Sequence, residues 1–266
     1  MKRGLSLIGA AVLMPLALTA CSTFSSLFEG GDRSVDAMAA QNADVAPDAT
    51  KDLRLARAAR AAGDYVSAIN LYRTVIASHP QSEALVVELG DTMLDLGAVD
   101  EAIGVYNKVD LKSSARAGAE VGLGRAQLAL HQTDAALTHF DAAAMLAPKD
   151  AKALLGRGVA LDILDRHKEA QESYRQVIAD NPQNVAARND LALSLALSGD
   201  YAQAAAILQP IAMSPTATEK IRQNMALIYG LQGNTQQAER ISRVDLSEAD
   251  TAANLRFYQA VRERNE

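Results

Sequence analysis

A step of 34 residues taken from Ala68 lands in turn on Ala102, Ala136, Ala170, Ala204 and Ala238, with no insertion or deletion between them. Twelve residues before each of these alanines stand Ala56, Gly90, Gly124, Gly158, Ala192 and Ala226. Four residues after them stand Tyr72, Tyr106, Phe140, Tyr174, Leu208 and Ser242. A fixed period of this size marks one supersecondary unit that cannot bury its apolar face alone and must stack on copies of itself. The phases show what the unit is. Two helices approach closely only where the side chain at their crossing is nearly absent, and a large side chain one turn later fills the space beside the crossing. Gly63, Gly97, Gly199 and Gly233 share a further phase, where a left-handed cap ends the first helix. Pro80, Pro148 and Pro182 share another, between the second helix and the next unit. Two residues on come Ser82, Asp150 and Asn184, with Asp48 and Thr218 in the same phase, as caps for the next helix.

The composition agrees. Aromatics make up 4% of the chain and Trp is absent, whereas strands are rich in aromatic and β-branched residues. The pattern resembles the tetratricopeptide repeat. That resemblance implies an all-α, right-handed superhelical solenoid of six helix pairs at residues 49–82, 83–116, 117–150, 151–184, 185–218 and 219–252. Residues 253–266, with Leu255, Tyr258 and Val261 at helical spacing, are predicted to form a helix that caps the exposed end. There are departures from the pattern. The bulky residue early in each first helix is never Trp, Arg157 stands where other repeats place Leu or Met, and the second repeat lacks its proline. In the sixth repeat, Ser242 and Asp245 take core positions.

The first 20 residues read differently. Lys2 and Arg3 precede an uncharged apolar run over residues 4–20 that is broken by Pro15. A cleavable export signal has this build. A membrane-spanning anchor is the alternative, but the run is at the short edge of what crosses a bilayer, and Pro15 interrupts its hydrogen-bond ladder. Leu18-Thr19-Ala20-Cys21, which holds the sole cysteine, resembles the lipobox of bacterial lipoproteins. In that class the thiol is acylated, the chain is cut before the cysteine, and the new amine is acylated. Several acyl chains on one residue hold firmly where a single chain binds weakly. The resemblance, with Ser22 next to the cysteine, implies an outer-membrane anchor with the protein on the periplasmic face. Residues 22–48 show no sustained period and are expected to form a flexible tether with a reach of roughly 30 Å.

Several chemistries are excluded. With a net charge of −6 and no concentrated basic stripe, the chain has no footprint for nucleic acid. Gly122 with Gly124, and Gly156 with Gly158, form GxG pairs, but neither extends to a phosphate-binding loop, and Gly124 and Gly158 already belong to the packing register. The four histidines, His79, His131, His139 and His167, form no HExxH motif and have no free cysteine to complete a metal site. His131 and His167 fall at turn phases and are expected to be solvated. No nucleophile stands with a base and an orienting group. The chain is therefore expected to be no enzyme and to need no cofactor or metal. An envelope enzyme or metal-binding module built on the solenoid is the competing class, which metal analysis would separate.

In tetratricopeptide proteins the first helix of each repeat lines a concave groove. In this sequence the corresponding stripe collects Arg54, Arg57 and Arg60, then Glu88, Asp91 and Asp95, then Arg125. In the last two repeats it collects Asn189, Leu193, Leu197, Gln223, Asn224, Leu227 and Leu231. The expectation is a groove of mixed charge at one end and of amides and leucines at the other. The amides can donate to and accept from a peptide backbone, unless the terminal helix folds over the leucines. Finally, Arg222-Gln-Asn-Met-Ala-Leu227, Tyr229-Gly-Leu-Gln-Gly233, Asp245-Leu246 and Asn254-Leu-Arg-Phe-Tyr258 resemble the C-terminal part of the tight-adherence (Flp) pilus assembly lipoprotein family, TadD; Phe257 is a minor departure. That resemblance implies a protein-binding scaffold of the pilus secretion machine, pilotin-like toward its secretin. Type IV pilus biogenesis and outer-membrane protein assembly, which use similar solenoids, are the alternatives.

Overall fold

The computed structural model describes residues 47–265. The segments expected to be an export signal and, up to residue 46, a tether lie outside the described residues, as does Cys21. Among the described residues every regular element is a helix, and the helices divide after Ala160 into two compact units.

The first unit stacks antiparallel pairs: α1 (Pro47–Ala61) with α2 (Tyr65–Ser78), α3 (Glu83–Leu96) with α4 (Val99–Tyr106), and α5 (Arg116–Ala129) with α6 (Thr133–Leu146). The helix α7 (Ala151–Ile163) begins in it. The second unit continues with α8 (His167–Asp180), α9 (Val185–Leu197), α10 (Tyr201–Ala212), α11 (Glu219–Leu231), α12 (Thr235–Ser242) and α13 (Glu248–Asn265). Here α8 packs on α9, α9 on α10, α10 on α11 and α11 on α12, while α13 lies against α11 and α12.

The register explains the packing. All six phase alanines, from Ala68 to Ala238, are fully buried. In the first unit the Tyr106 ring fills the space over Gly90 of its own pair and Gly122 of the next, and Phe140 does the same over Gly124 and Gly156. A β-carbon on any of these four glycines would fall inside the ring's van der Waals surface. In the second unit Tyr258 of α13 sits over Gly230 in the same manner.

Helix ends follow the sequence with two corrections. Asp48 is not the cap of α1, because the helix begins one residue earlier at Pro47, a residue suited to a helical first position. Ser82 holds the cap position of α3 without a side-chain cap bond. Asp150, Asn184 and Thr218 do cap, accepting from the backbone N–H of Ala153, Ala187 and Ile221 at 2.9, 2.9 and 3.4 Å. Left-handed backbone recurs at every step of the register: Gly63, Gly97, His131, Asp165, Gly199 and Gly233 all have positive φ, from 58° to 88°. The left-handed cap expected at the four glycines is present there, and His131 and Asp165 take the same conformation at the remaining two steps.

Candidate partner-binding surface

In the first unit the charged stripe on α1, α3 and α5 closes on itself. Arg57 grips Glu88 with two bonds, Nε to Oε2 at 2.8 Å and Nη2 to Oε1 at 2.5 Å. The Tyr72 hydroxyl donates to the same carboxylate at 2.9 Å. Arg60 donates to Asp95 at 2.8 Å, and Arg125 reaches Asp91 at 3.2 Å and Asp95 at 3.3 Å. The Tyr106 hydroxyl donates to Asp91 at 2.7 Å. The bond to Glu88 raises the Arg57 pKa against the cost of burial. Burial, followed by the neighbouring Glu88, pushes the Tyr72 phenol above its usual range, so this ring stays a donor. Three guanidinium groups meet three carboxylates, and the ladder is electrically neutral. Arg54, on the same helix as Arg57, is exposed.

In the second unit the amides expected to line an open groove are buried. Asn189 is 3% exposed and Asn224 6%. Asn224 Nδ2 donates to Asn189 Oδ1 at 2.8 Å, and Asn189 Nδ2 donates to Asp190 Oδ1 at 3.0 Å. Their capacity to bind a peptide backbone is thus spent on each other and on a carboxylate. Asp190 is itself buried, and its Oδ2 has no hydrogen-bond partner. Burial pushes its pKa up to about 7; the Asn189 bond and the Lys220 charge oppose the rise, and Asp162 adds to it. Burial lowers the Lys220 pKa, and Asp190 resists that shift. Nearby, Asp162 accepts three bonds, from His167 Nδ1 at 2.8 Å, Tyr174 at 2.9 Å and Ser194 at 2.7 Å. His167 is therefore not a solvated turn residue; its bond to Asp162 raises its pKa. His131 does lie exposed in its turn.

The leucines divide. Leu231 is buried with Val261 of α13, and Leu197 and Leu227 pack half-buried against the same cluster with Tyr201 and Phe257. The terminal helix thus covers part of the expected apolar sockets. Leu193 remains half-buried. Gln223 Nε2 donates to Asp245 at 3.3 Å, and Arg222 holds that carboxylate with bonds of 2.7 and 2.5 Å. The arginine bond keeps the Asp245 pKa below the usual carboxylate value, so this apparent core substitution is one half of an ion pair.

The sequence reading missed Asp162, Asp190, Ser194 and Lys220, and gave Tyr174 a packing place only. One signal was available. Asp190 shares its phase with Gly122 and Gly156, which lie under aromatic rings, so a carboxylate at that phase faces inward. The Ser194 hydroxyl donates to Asp162, and among the described residues no group of three or more His, Cys, Asp or Glu is placed to hold a metal ion.

The tetratricopeptide-repeat family model matches residues 59–115 and 164–228, and a second model of the same description matches residues 121–170. The chain belongs to the tetratricopeptide-repeat family. Among solved tetratricopeptide structures it is similar to a thermophilic protein of Thermus thermophilus, at 22% identity and TM-score 0.59, over 68% of this chain and 98% of that one. It is similar to a chain of the APC/C hetero-tetramer Cut9–Hcn1 at 15% identity and TM-score 0.66, over 79% and 42%. YrrB, described as a tetratricopeptide protein with an unusual peptide-binding site, matches at 17% identity and TM-score 0.51, over 73% and 96%. These likenesses establish the fold. A curated relative, the uncharacterized protein y4yS of Sinorhizobium fredii, is 38% identical over 85 residues, 32% of this chain. The chain spans about half the length, 47%, of that relative.

Proposed function

We propose that this tetratricopeptide protein is a non-enzymatic scaffold that a lipid on Cys21 tethers to the outer membrane, where it assists assembly of a tight-adherence pilus secretion machine and is pilotin-like toward the secretin. The tetratricopeptide fold is that of a protein–protein interaction scaffold. The observation that carries the finer reading is the coincidence of two motifs in one chain: the Leu18–Cys21 box behind a charged, apolar leader, and the wording of residues 222–258. YrrB's peptide-binding site on a similar stack supports a peptide segment as the ligand. The Arg–carboxylate ladder and the Asn189–Asn224 seam are engaged internally, which supports a partner contact at exposed side chains such as Arg54 of the first unit rather than at the buried amides.

The test has two parts. Wild type should incorporate radiolabelled palmitate and Cys21→Ser should not; equal incorporation removes the tether. In cells carrying Cys21→Ser, the heat-resistant multimers of the pilus secretin should fall several-fold. Unchanged multimers with lost acylation would move the scaffold to another envelope pathway.

A further inference from the structure

We propose that the edge of the first unit at which α4 and α6 end rests on an anionic phospholipid surface. The proposal adds a second membrane contact to the reading in which Cys21 tethers the chain, and rests on that reading for its orientation. Leu111 and Met145 lie one register step apart, in the turn after α4 and in the last turn of α6. They are 74% and 83% exposed, and Leu146 beside the second is 54% exposed. Around them stand exposed Lys108, Lys112, Lys149 and Lys152. These are four of the seven lysines in residues 47–265 of a chain whose net charge is −6.

Three carboxylates of the same edge keep their charge but are turned to backbone N–H groups: Asp110 accepts from Lys112 N at 2.7 Å, Asp150 from Ala153 N at 2.9 Å, and Glu83 from Asp110 N at 2.8 Å. The edge therefore combines protruding apolar side chains with four lysines against three carboxylates. Interfacial segments that bind lipid combine the same two features, apolar area sunk into the headgroup region and basic residues drawn by anionic lipid. A protein partner would instead use a contiguous apolar patch or a recess. A recess in this unit, lined by Val66, Met93 and Leu96 among others, involves none of these residues. Leu111 and the adjacent pair Met145 and Leu146 protrude, with Lys108 and Lys112 flanking the first in sequence and Lys149 and Lys152 following the second, which suits insertion between headgroups.

The test uses the full chain purified from membranes and reconstituted in phosphatidylethanolamine–phosphatidylglycerol vesicles that carry nitroxide-labelled lipid. Met145→Cys and Val66→Cys are each labelled with a fluorophore, and mass spectrometry of the same samples reads the state of Cys21. The label at 145 should be quenched at least twofold more than the label at 66. The difference should shrink in phosphatidylcholine vesicles and in high salt. With the tether removed by Cys21→Ser, Leu111→Asp with Met145→Asp should lower vesicle association at least fivefold while leaving the helical circular dichroism unchanged, since both side chains are exposed. Equal quenching at 145 and 66 would overturn the proposal, as would burial of position 145 against a second copy or a co-purified protein. If Cys21 proves unacylated, the tether reading fails; repeating the quenching comparison with Cys21→Ser then decides the edge by itself.

Discussion

Asp190 should make the protein less stable as the pH rises toward neutrality. Burial raises its pKa from the usual 3.8 to about 7, while the unfolded chain restores a value near 3.9. Between those two values the folded state holds a proton that the unfolded state has released, so stability falls across that window. Each unit of difference is about 1.4 kcal/mol. The penalty at pH 8 is therefore on the order of 4 kcal/mol, more than half of which accrues between pH 5 and pH 8. Asp190→Asn keeps the shape and removes the charge. The groups facing it are Asn189, Tyr174, Asp162 and Lys220, and the loss of attraction to Lys220 makes the figure an upper bound. Urea unfolding at pH 5, 6.5 and 8 measures the effect. Wild type should lose stability steadily over the series, and Asp190→Asn should lose much less and be the more stable protein at pH 8. His167 acts in the same direction but in a higher window, because its raised pKa contributes stability that is complete below about 6.5 and fades as the pH passes the folded value. His167→Asn should therefore flatten only the upper part of the curve. Parallel curves for wild type and Asp190→Asn would refute the reasoning, as would a less stable Asp190→Asn at pH 8.

Gly122→Ala sets a methyl group against the Tyr106 ring and should cost about 1–3 kcal/mol, whereas Gly104→Ala meets nothing within 4 Å and should gain up to about 1 kcal/mol from helix propensity; thermal melts of the pair should move in opposite directions. His131→Gly should relieve a left-handed residue with φ of 59° and gain about 0.5 kcal/mol, while Gly97→Ala, at φ of 87°, should lose about 1–2 kcal/mol. Ala170, fully buried, should not tolerate Leu, at a cost of about 1–3 kcal/mol, whereas exposed Ala179 should change stability by no more than about 0.5 kcal/mol; equal losses at both sites by urea titration would contradict the register.

The helix pairs were legible because close packing leaves its mark at fixed positions. Small residues stand where helices cross, rings follow one turn later, and a left-handed cap closes each first helix. That last phase was legible even where glycine is missing, since His131 and Asp165 stand at the positions where the period requires positive φ. The Arg–carboxylate ladder was partly legible, because its partners lie 31, 35 and 34 residues apart in the pairs Arg57–Glu88, Arg60–Asp95 and Arg125–Asp91. Opposite charges about one repeat apart on the same face are bound to meet. The state of the amides was not legible. Asn189 and Asn224 stand 35 residues apart on neighbouring helices, but whether each points outward or toward its counterpart depends on side-chain rotamers that periodicity does not encode. The second and sixth repeats also kept their register while shortening their second helices to eight residues in α4 and α12, a change that the spacing of the alanines conceals.

The rings wedged over paired glycines have a consequence for how such a chain can change its length. Tyr106 reads Gly90 behind it and Gly122 ahead of it, and Phe140 reads Gly124 and Gly156. Each unit is thus spelled so that its neighbour completes it. Gain or loss of 34 codons preserves the grammar of every junction, whereas a gain or loss of one codon inside a helix turns a ring away from the glycine that lies on the other side of the change. The unbroken spacing from Ala68 to Ala238 is the record of that constraint.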